Sequence, residues 1–371
     1  MAETKYQRLR HSSDSEPGFT RRRQGRSWAY FDEAGERVTD RDVIDRLNAV
    51  ALPPAYENAW FCKDAHGHLQ ATGVDARGRK QYRYHADFRT RRDKKKYLGT
   101  LEFGAALPKL RRKVASDLRK RGLGRDSVLA AVVRLLDTQY LRIGNEQYAR
   151  DNKSFGATTL RNRHVRKDGG RMLMRFKGKH GIVQEVPITE ASLKRIVGSC
   201  QDLPGQQLFQ YVGDDGDPCP VTSADVNDYI REATGGEFTA KNFRTWGASV
   251  IAFDKMLEAQ EAEKAKISLK TVLEPVAEAL GNTPAISRKS YVHPKLIEAA
   301  REKPRDPLGG LERPRARKWL SSAEVGLLDF LAGKKRRRKE VEATADAAIQ
   351  AAETAGPAAV KQAVEKAEAS A

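Results

Sequence analysis

Cysteine is scarce in this chain of 371 residues. Cys62, Cys200 and Cys219 lie far apart and form no CxxC pair, which excludes a disulfide framework and a cysteine-based zinc site. Such sparse cysteine use is typical of a protein in a reducing cytosol. The sequence also lacks an apolar run of about 20 residues and an apolar segment near its first residue, so we expect neither a membrane span nor a signal peptide.

Several signatures of chemistry are missing as well. The sequence contains no Walker A glycine loop, no HExxH and no glycine-rich dinucleotide fingerprint. No acidic cluster is arranged for two magnesium ions. His66 and His68 form a close pair without an evident third ligand, which favours a hairpin tip over a metal site. We therefore expect no metal and no cofactor.

Positive charge is what the chain has in excess. It contains 68 lysines and arginines against 49 aspartates and glutamates, which gives a formal net charge of +19. This excess indicates a polyanionic partner such as nucleic acid, although a ribosome-like or membrane-surface protein can carry the same charge. Charge alone therefore does not identify any chemistry.

The sequence pattern divides the chain into four parts. Residues 1–25 are basic and poor in apolar side chains, which predicts a disordered arm. Residues 26–91 have short strand patterns, whereas residues 92–307 are mostly helical, so we expect two domains. Residues 308–371 read as a disordered tail, first basic and then rich in Ala and Glu. Its basic run at 334–339 is expected to add non-specific phosphate contacts.

The segment GRKQYRY predicts a strand in the first domain. With a period of two residues, Tyr82 and Tyr84 share one face of that strand. Two rings beside the cations Arg79 and Lys80 suit a surface that contacts bases and phosphates. A half-buried strand with no such contact is the alternative.

The second domain places two notable cations at the ends of regular elements. A helix with apolar residues at a period of 3.6 ends in the sequence LRIG, and Arg142 is a charge at the exit of a buried helix. Residues 158–189 then predict a three-stranded meander with Lys179 at the tip of its second turn. A lysine at such a tip is also common as a solubilising residue.

A single tyrosine lies between two predicted helix starts in the segment GNTPAISRKSYVHP. Thr283 can cap the first helix, and Pro294 can begin the second. Tyr291 therefore lies at a junction, with Arg288 and Lys289 one turn before it. Nearby positive charge favours the phenolate, which makes Tyr291 a candidate nucleophile. The alternative is a core tyrosine at a helix end.

Five residues together form a set suited to phosphoryl transfer without a metal: Arg142, Lys179, Lys241, Arg244 and Tyr291. A tyrosine oxygen can attack phosphorus while two guanidiniums neutralise the charge that grows on the non-bridging oxygens. A lysine can protonate the leaving oxygen.

These motifs resemble the type IB DNA topoisomerases of the compact bacterial and poxvirus-like kind, over residues 28–301 approximately. Arg142 falls at the family's first catalytic arginine, and Lys179 at the hairpin lysine that acts as general acid. Lys241 and Arg244, in KNFRTW, match the helix with a supporting lysine and the second catalytic arginine. Tyr291 matches the nucleophile. The GRKQYRY strand resembles the family's DNA-contacting strand, so the resemblance implies DNA contacts for these residues: Tyr82, Tyr84, Arg79, Lys80, Gln81 and Lys241.

The resemblance also implies a fold and a reaction. The fold is α+β, with a small amino-terminal β-sheet domain and short helices before a mostly α-helical catalytic domain that contains a three-stranded antiparallel sheet. The reaction is relaxation of supercoiled double-stranded DNA through a 3′-phosphotyrosyl intermediate, strand rotation and religation, without ATP or metal. The expected protein is a monomer that acts as a clamp, in the bacterial cytoplasm with the nucleoid.

One position departs from the family pattern. Many members have a histidine nine residues before the tyrosine, where this chain has Asn282. An asparagine amide donates a hydrogen bond to a phosphate oxygen but carries no charge. We therefore expect Asn282 to take the same catalytic role with weaker electrostatics.

Two other functions remain open from the sequence. Tyrosine recombinases use a similar residue set, but they typically have a histidine three residues before the second arginine, where this chain has Lys241. A non-catalytic DNA-coating protein also fits the charge and the aromatic residues, although it has no need for the set of Tyr291, Arg142, Arg244 and Lys179.

Overall fold

The computed structural model of the protein describes residues 8–25, 27–262, 267–303 and 306–333. The chain divides into two units, with the boundary between Leu98 and Gly99. Within the described ranges, no helix has both the length and the apolar character needed to cross a membrane. The predicted basic run at 334–339 and the Ala/Glu-rich end lie outside the described residues.

The first unit is built on a five-stranded antiparallel sheet in the order β2-β1-β3-β4-β5. Its strands are β1 (Gly18–Gln24), β2 (Ser27–Phe31), β3 (Glu57–Cys62), β4 (Leu69–Val74) and β5 (Lys80–Tyr84). Helix α1 (Arg41–Ala49) begins at Asp40, whose side chain accepts hydrogen bonds from the first free backbone N–H groups. Tyr30, Leu47 and Phe61 pack together in the core of this unit.

The predicted disorder of residues 1–25 is wrong for β1. This strand lies between β2 and β3, and its Thr20 pairs with Phe31 on one side and Trp60 on the other. Arg21 is ordered because its guanidinium lies 4.2 Å from the Trp28 ring centroid and donates to the carbonyl oxygen of Leu52. Arg21 therefore behaves as a packing residue, which a rule based on composition does not capture.

Long helices make up most of the second unit. The helices are α2 (Ala86–Asp117), α3 (Arg125–Gln139), α4 (Glu146–Asn152), α5 (Ala191–Gln201), α6 (Ser223–Thr234), α7 (Ala240–Glu261), α8 (Leu269–Leu280), α9 (Pro284–Ser290), α10 (Pro294–Glu302) and α11 (Ser322–Leu331). Helix α2 includes the boundary between the units, and the predicted domain boundary at 91/92 falls within this helix. The centre of α7 is buried on almost every side, and α3 and α8 pack against it.

A three-stranded antiparallel sheet stands among these helices in the order β6-β7-β8. Its strands are β6 (Val165–Asp168), β7 (Arg171–Lys177) and β8 (Val183–Ile188), and a second small hairpin pairs β9 (Gln210–Val212) with β10 (Pro218–Pro220). The predicted meander is present, but it begins later than expected, because residues 157–159 and 162–164 form 3₁₀ turns. The observed α+β architecture agrees with the predicted fold class.

The predicted disorder of the tail is wrong between residues 308 and 333. Helix α11 begins with a capping box in which Ser321 and Glu324 exchange hydrogen bonds with each other's backbone N–H groups. Val325, Leu327 and Leu331 are buried in the core of the second unit. The composition of the tail predicts disorder because basic residues flank this short segment, although the segment itself contains a complete helix signal.

Candidate active site

Tyr291 lies at the end of α9, where the sequence ends the helix. The Thr283 side chain accepts a hydrogen bond from the Ile286 N–H at 3.3 Å, and a proline follows at the first helical position. At the other end, the N–H of Tyr291 donates to the Ser287 carbonyl at 3.0 Å, while its own φ of −131° leaves the helical region. The tyrosine is thereby held at the junction that the sequence predicts.

The guanidinium of Arg244 lies over this tyrosine, 4.9 Å from the ring centroid. Arg244 is 5% exposed, on the buried centre of α7. Its Nη1 donates to the Tyr140 carbonyl, and its Nη2 donates to the Leu280 carbonyl at 2.9 Å. Within the described ranges no carboxylate forms an ion pair with Arg244, and its buried Nε has no hydrogen-bond partner. The site thus holds an uncompensated positive charge beside the phenol.

Burial and nearby positive charge have opposite effects on the pKa of Tyr291 beside Arg244. Burial lowers the pKa of Arg244 to about 10, and the positive charge of Arg142 acts in the same direction. Burial alone raises the pKa of Tyr291, but the charge of Arg244, followed by those of Arg142 and Lys179, brings that pKa below its ordinary value. The three cations therefore favour the tyrosinate, which is the nucleophilic form.

Arg142 and Asn282 are joined directly. Arg142 Nη2 donates to Asn282 Oδ1 at 2.8 Å, and the Nδ2 atom of Asn282 is buried with no partner in the described part of the chain. The backbone of Arg142 is fixed as well, because its carbonyl accepts from Ala157 N–H at 2.8 Å. A Cβ atom at Gly156 would lie 2.5 Å from that carbonyl oxygen, so glycine permits this close approach.

Lys179 lies in the connection between β7 and β8, as the sequence predicts. Residues Lys179–Gly181 form a single 3₁₀ turn, closed by a hydrogen bond of 2.8 Å from Gly178 N–H to the Ile182 carbonyl. The lysine side chain is exposed and makes no hydrogen bond or ion pair with any described residue. It is therefore available to a ligand, and its charge is among those that lower the pKa of Tyr291.

Lys241 lies one turn before Arg244 on α7. The spacing of three residues puts both side chains on one side of the helix. Lys241 is exposed, whereas Arg244 is buried, so the two positive charges lie at different depths on that side.

The predicted DNA-contacting strand is β5, at the edge of the first sheet. Tyr82 is 48% exposed, and its ring stacks on that of Tyr84 with centroids 6.2 Å apart. The polar neighbours are already paired within the chain, in these contacts: Arg79 with Asp75 at 2.7 Å, Gln81 with Asp75 at 2.9 Å, and Lys80 with Asp14. The aromatic face is thus open, whereas the cations have acidic partners.

Sequence reasoning missed Tyr140, whose carbonyl holds Arg244. Its backbone has a left-handed φ of 51°, unusual for a residue other than glycine, and ends α3. This conformation aims its carbonyl at Arg244, and Arg142 follows two residues later. A Cβ atom at Gly247 of α7 would lie 2.1 Å from the Tyr140 ring, so the ring rests directly on that helix. The tyrosine ahead of LRIG gave no pattern that marks such a carbonyl.

Comparison with known proteins assigns the chain to a family. Residues 85–307 match the family described as the catalytic core of eukaryotic DNA topoisomerase I, and residues 27–75 match the amino-terminal domain of bacterial DNA topoisomerase IB. DNA topoisomerase 1B of Acanthamoeba polyphaga mimivirus is 34% identical over 286 residues, which cover 74% of this chain and 84% of the relative. DNA topoisomerase 1B of Vaccinia virus (strain Copenhagen) is 21% identical over 279 residues, 71% of this chain and 84% of the relative.

A solved structure of the XerH site-specific recombinase bound to its difH substrate is also similar. It is 18% identical, covers 52% of each chain and has a TM-score of 0.30. That likeness is too weak to support any conclusion here.

Proposed function

The chain belongs to the type IB DNA topoisomerases, and from this premise we propose how its residues relax supercoiled DNA. The enzyme breaks one strand of duplex DNA, lets the duplex rotate and reseals the strand. Tyr291 is the nucleophile. Its oxygen attacks phosphorus to form a 3′-phosphotyrosyl bond, and the 5′-oxygen leaves as a hydroxyl. Religation reverses this exchange. One phosphodiester replaces another, so the bond energy is conserved and the cycle needs no ATP.

Arg142, Arg244 and Asn282 stabilise the charge that develops on the non-bridging oxygens. Arg244 has a buried Nε without a partner, and Asn282 has a buried Nδ2 without a partner, within the described residues. Two buried donors left open beside a tyrosine suit a phosphate, since buried donors are otherwise almost always paired. Lys241 adds a phosphate contact at the rim of the same side of α7.

Lys179 is the general acid for the departing 5′-oxygen. Its exposed side chain on a short turn can reach a bound strand, and a lysine ammonium is a proton donor suited to a departing alkoxide oxygen. The same lysine removes the proton from the 5′-hydroxyl during religation, because the reverse reaction passes through the same transition state.

The first unit contacts DNA through β5. Tyr82 and Tyr84 supply the open aromatic face, and Arg79, Lys80 and Gln81 exchange their acidic partners for phosphates when DNA binds. In this proposal a single chain acts as a clamp, with the chemistry in the residues from 99 onward, and works with the bacterial nucleoid in the cytoplasm.

The observation that carries this function is the buried Arg244 over the ring of Tyr291, with no carboxylate partner among the residues that the structure describes. The decisive experiment is plasmid relaxation with EDTA and without ATP, together with a denaturing gel that detects covalent adducts. Wild-type protein should relax the plasmid and become attached to a 3′ end. Tyr291→Phe should bind DNA with unchanged affinity but give no adduct and no relaxation.

Tyr148→Phe is the matched control, because Tyr148 is an exposed tyrosine of the same unit. It should keep full activity. Adduct formation by Tyr291→Phe refutes the assignment of the nucleophile. Exchange of strands between two duplexes, with no relaxation of the plasmid, favours the recombinase alternative instead.

A further inference from the structure

A buried charge cluster joins α11 to the helices of the active site. Arg111 of α2 donates from Nε and Nη2 to Asp137 of α3, at 2.7 and 2.8 Å. The same guanidinium donates from Nη1 and Nη2 to Glu324 of α11, at 2.9 and 2.8 Å. Trp246 of α7 completes the cluster by donating from Nε1 to Glu324 at 2.9 Å. Glu324 is therefore a common acceptor for two helices.

Burial makes this cluster sensitive to the loss of any member. The side chains of Asp137 and Glu324 are each 8% exposed, and that of Arg111 is 16% exposed. Burial alone raises the pKa of Glu324, but Arg111 keeps that pKa below its ordinary range, so the carboxylate stays charged. Removing Arg111 would leave two buried carboxylates uncompensated, whereas removing the Glu324 charge keeps the Arg111–Asp137 pair but loses the ion pair that holds α11 to α2. The cluster therefore fixes the relative positions of α2, α3, α7 and α11.

Close packing holds α11 against α7. A Cβ atom at Gly326 would lie 2.7 Å from the Phe253 ring, so the absence of a side chain lets the two helices approach. Lys295 of α10 donates to the Leu331 carbonyl at the end of α11, at 3.2 Å. Trp319, just before the helix, has a left-handed φ of 74°, and its carbonyl accepts from Arg111 Nη1 at 2.6 Å. A left-handed conformation is strained for tryptophan, and here it places the Trp319 carbonyl as an acceptor for Arg111.

The members of the cluster flank the contact between Arg244 and Tyr140. Trp246 is two residues beyond Arg244 on α7, and Asp137 is three residues before Tyr140 at the end of α3. Tyr140 offers the carbonyl that Arg244 binds. By joining Asp137 and Trp246 through Arg111, Glu324 fixes the end of α3 against α7 on both sides of that contact.

We propose that Glu324 is a positioning residue for strand cleavage, which acts through Trp246, Arg111 and Asp137 to hold Arg244 against the Tyr140 carbonyl and over Tyr291. Helix α11 then contributes to cleavage by keeping Arg244 in position. This inference rests on the proposed function, because it requires that Arg244 stabilises the cleavage transition state. Glu324 touches none of the reacting atoms in this arrangement.

The test compares single-turnover cleavage by the full-length protein and by Glu324→Gln, well below the melting temperature of each. The glutamine keeps an acceptor for Trp246 but loses the charge that binds Arg111. Cleavage should slow by about tenfold to hundredfold, as expected for small misplacement of a catalytic group. The equilibrium affinity for DNA should stay unchanged.

Arg313→Gln is the matched control. Arg313 also joins the C-terminal segment to α7, through ion pairs with Asp254 at 2.7 Å and Glu261 at 2.9 Å, but at the end of the helix remote from Arg244. Its cleavage rate should remain within about twofold of wild type, because exposed pairs contribute little. A similar loss in Arg313→Gln and Glu324→Gln overturns the proposal.

A second comparison separates positioning from general destabilisation. In an Arg244→Ala background, Glu324→Gln should slow cleavage by less than about twofold, since residues that act through one another are not additive. The proposal is overturned if Glu324→Gln slows cleavage as much in the Arg244→Ala background as it does in the wild-type protein. It is also overturned if Glu324→Gln alone cleaves at the wild-type rate. If Glu324→Gln does not fold, Trp246→Phe gives the same test by removing the indole donor. Failure of wild-type protein to form any adduct refutes the proposed function instead.

Discussion

The Oδ1 atom of Asn282 accepts a hydrogen bond from Nη2 of Arg142 at 2.8 Å, although these residues are 140 positions apart in the chain. This contact fixes which way the asparagine amide points, and it turns Nδ2 away from Arg142 as a buried donor with no partner among the described residues. A neutral amide thereby offers an N–H at the position where the family resemblance led us to expect a histidine.

This geometry predicts a graded series at Asn282. Asn282→Ala should slow single-turnover cleavage by roughly tenfold to hundredfold, the usual cost of losing one hydrogen bond to a charged group. Asn282→Asp keeps an acceptor for Arg142 but loses the donor and adds negative charge, so it should be slower than the alanine variant. Asn282→His should restore much of the rate. An aspartate variant as fast as wild type contradicts a donor role.

A second prediction concerns Lys179 and the departing oxygen. Lys179→Ala should cleave ordinary DNA about 10²- to 10⁴-fold more slowly, as is typical after loss of a general acid. A substrate with sulfur in place of the bridging 5′-oxygen has a leaving group that needs no proton, so this substrate should restore the rate. Arg244→Ala should stay slow on both substrates, because its defect lies in charge stabilisation.

Lys177→Ala is the control for that experiment, since Lys177 is an exposed lysine at the end of β7 in the same hairpin. It should cleave both substrates like wild type. Equal rescue of Lys179→Ala and Arg244→Ala by sulfur, or rescue of neither, contradicts the role of Lys179 as proton donor.

The third prediction follows from the lowered pKa of Tyr291. Its phenol should ionise at a lower pH than a free tyrosine, whereas burial raises the pKa of Tyr140 and of Tyr97 to about 12. The difference in tyrosinate absorbance between wild type and Tyr291→Phe isolates this titration. In an Arg244→Ala background the titration should move to higher pH, because burial then acts against less positive charge. An unmoved midpoint contradicts the electrostatic role of Arg244.

The fourth prediction tests the close contact between Tyr140 and α7. Gly247→Ala would put a Cβ atom 2.1 Å from the Tyr140 ring. We expect a destabilisation of about 1–3 kcal/mol from overpacking, with slower cleavage because the carbonyl partner of Arg244 moves. Gly99→Ala, a helical glycine with open space around its Cβ, should instead stabilise the protein by about 1 kcal/mol. Thermal melts and cleavage rates check both variants.

Local signals were enough to predict the elements around the nucleophile. Thr283 with its proline defined the start of α9, and Pro294 defined the start of α10, because caps and helix starts depend on a few adjacent residues. The domain boundary predicted at 91/92 falls instead inside α2. The contacts that stabilise a long helix of this kind come mostly from distant parts of the chain, which local patterns do not report.

The residues that support the site were not predictable in the same way. Glu324 and Asp137 are ordinary surface-type residues in sequence, and only their convergence on Arg111 marks them as buried. The Tyr140 carbonyl is a backbone group, so no side-chain motif signals it. The resemblance supplied Arg142, Lys179, Arg244 and Tyr291 as a set, whereas the packing that aligns Arg142 and Arg244 depends on tertiary structure.

The place of Glu324 in the chain has a consequence for synthesis. A ribosome releases Arg244 and Tyr291 before the residues of α11. A growing chain therefore contains the nucleophile and both arginines while Glu324, the member of the buried cluster on α11, is still absent. Arg111 then has only Asp137 as a charged partner, and α7 has no α11 to pack against. If Glu324 positions Arg244 as proposed, a chain that ends before α11 should therefore cleave DNA more slowly than the full-length protein, even though it contains the nucleophile and both arginines.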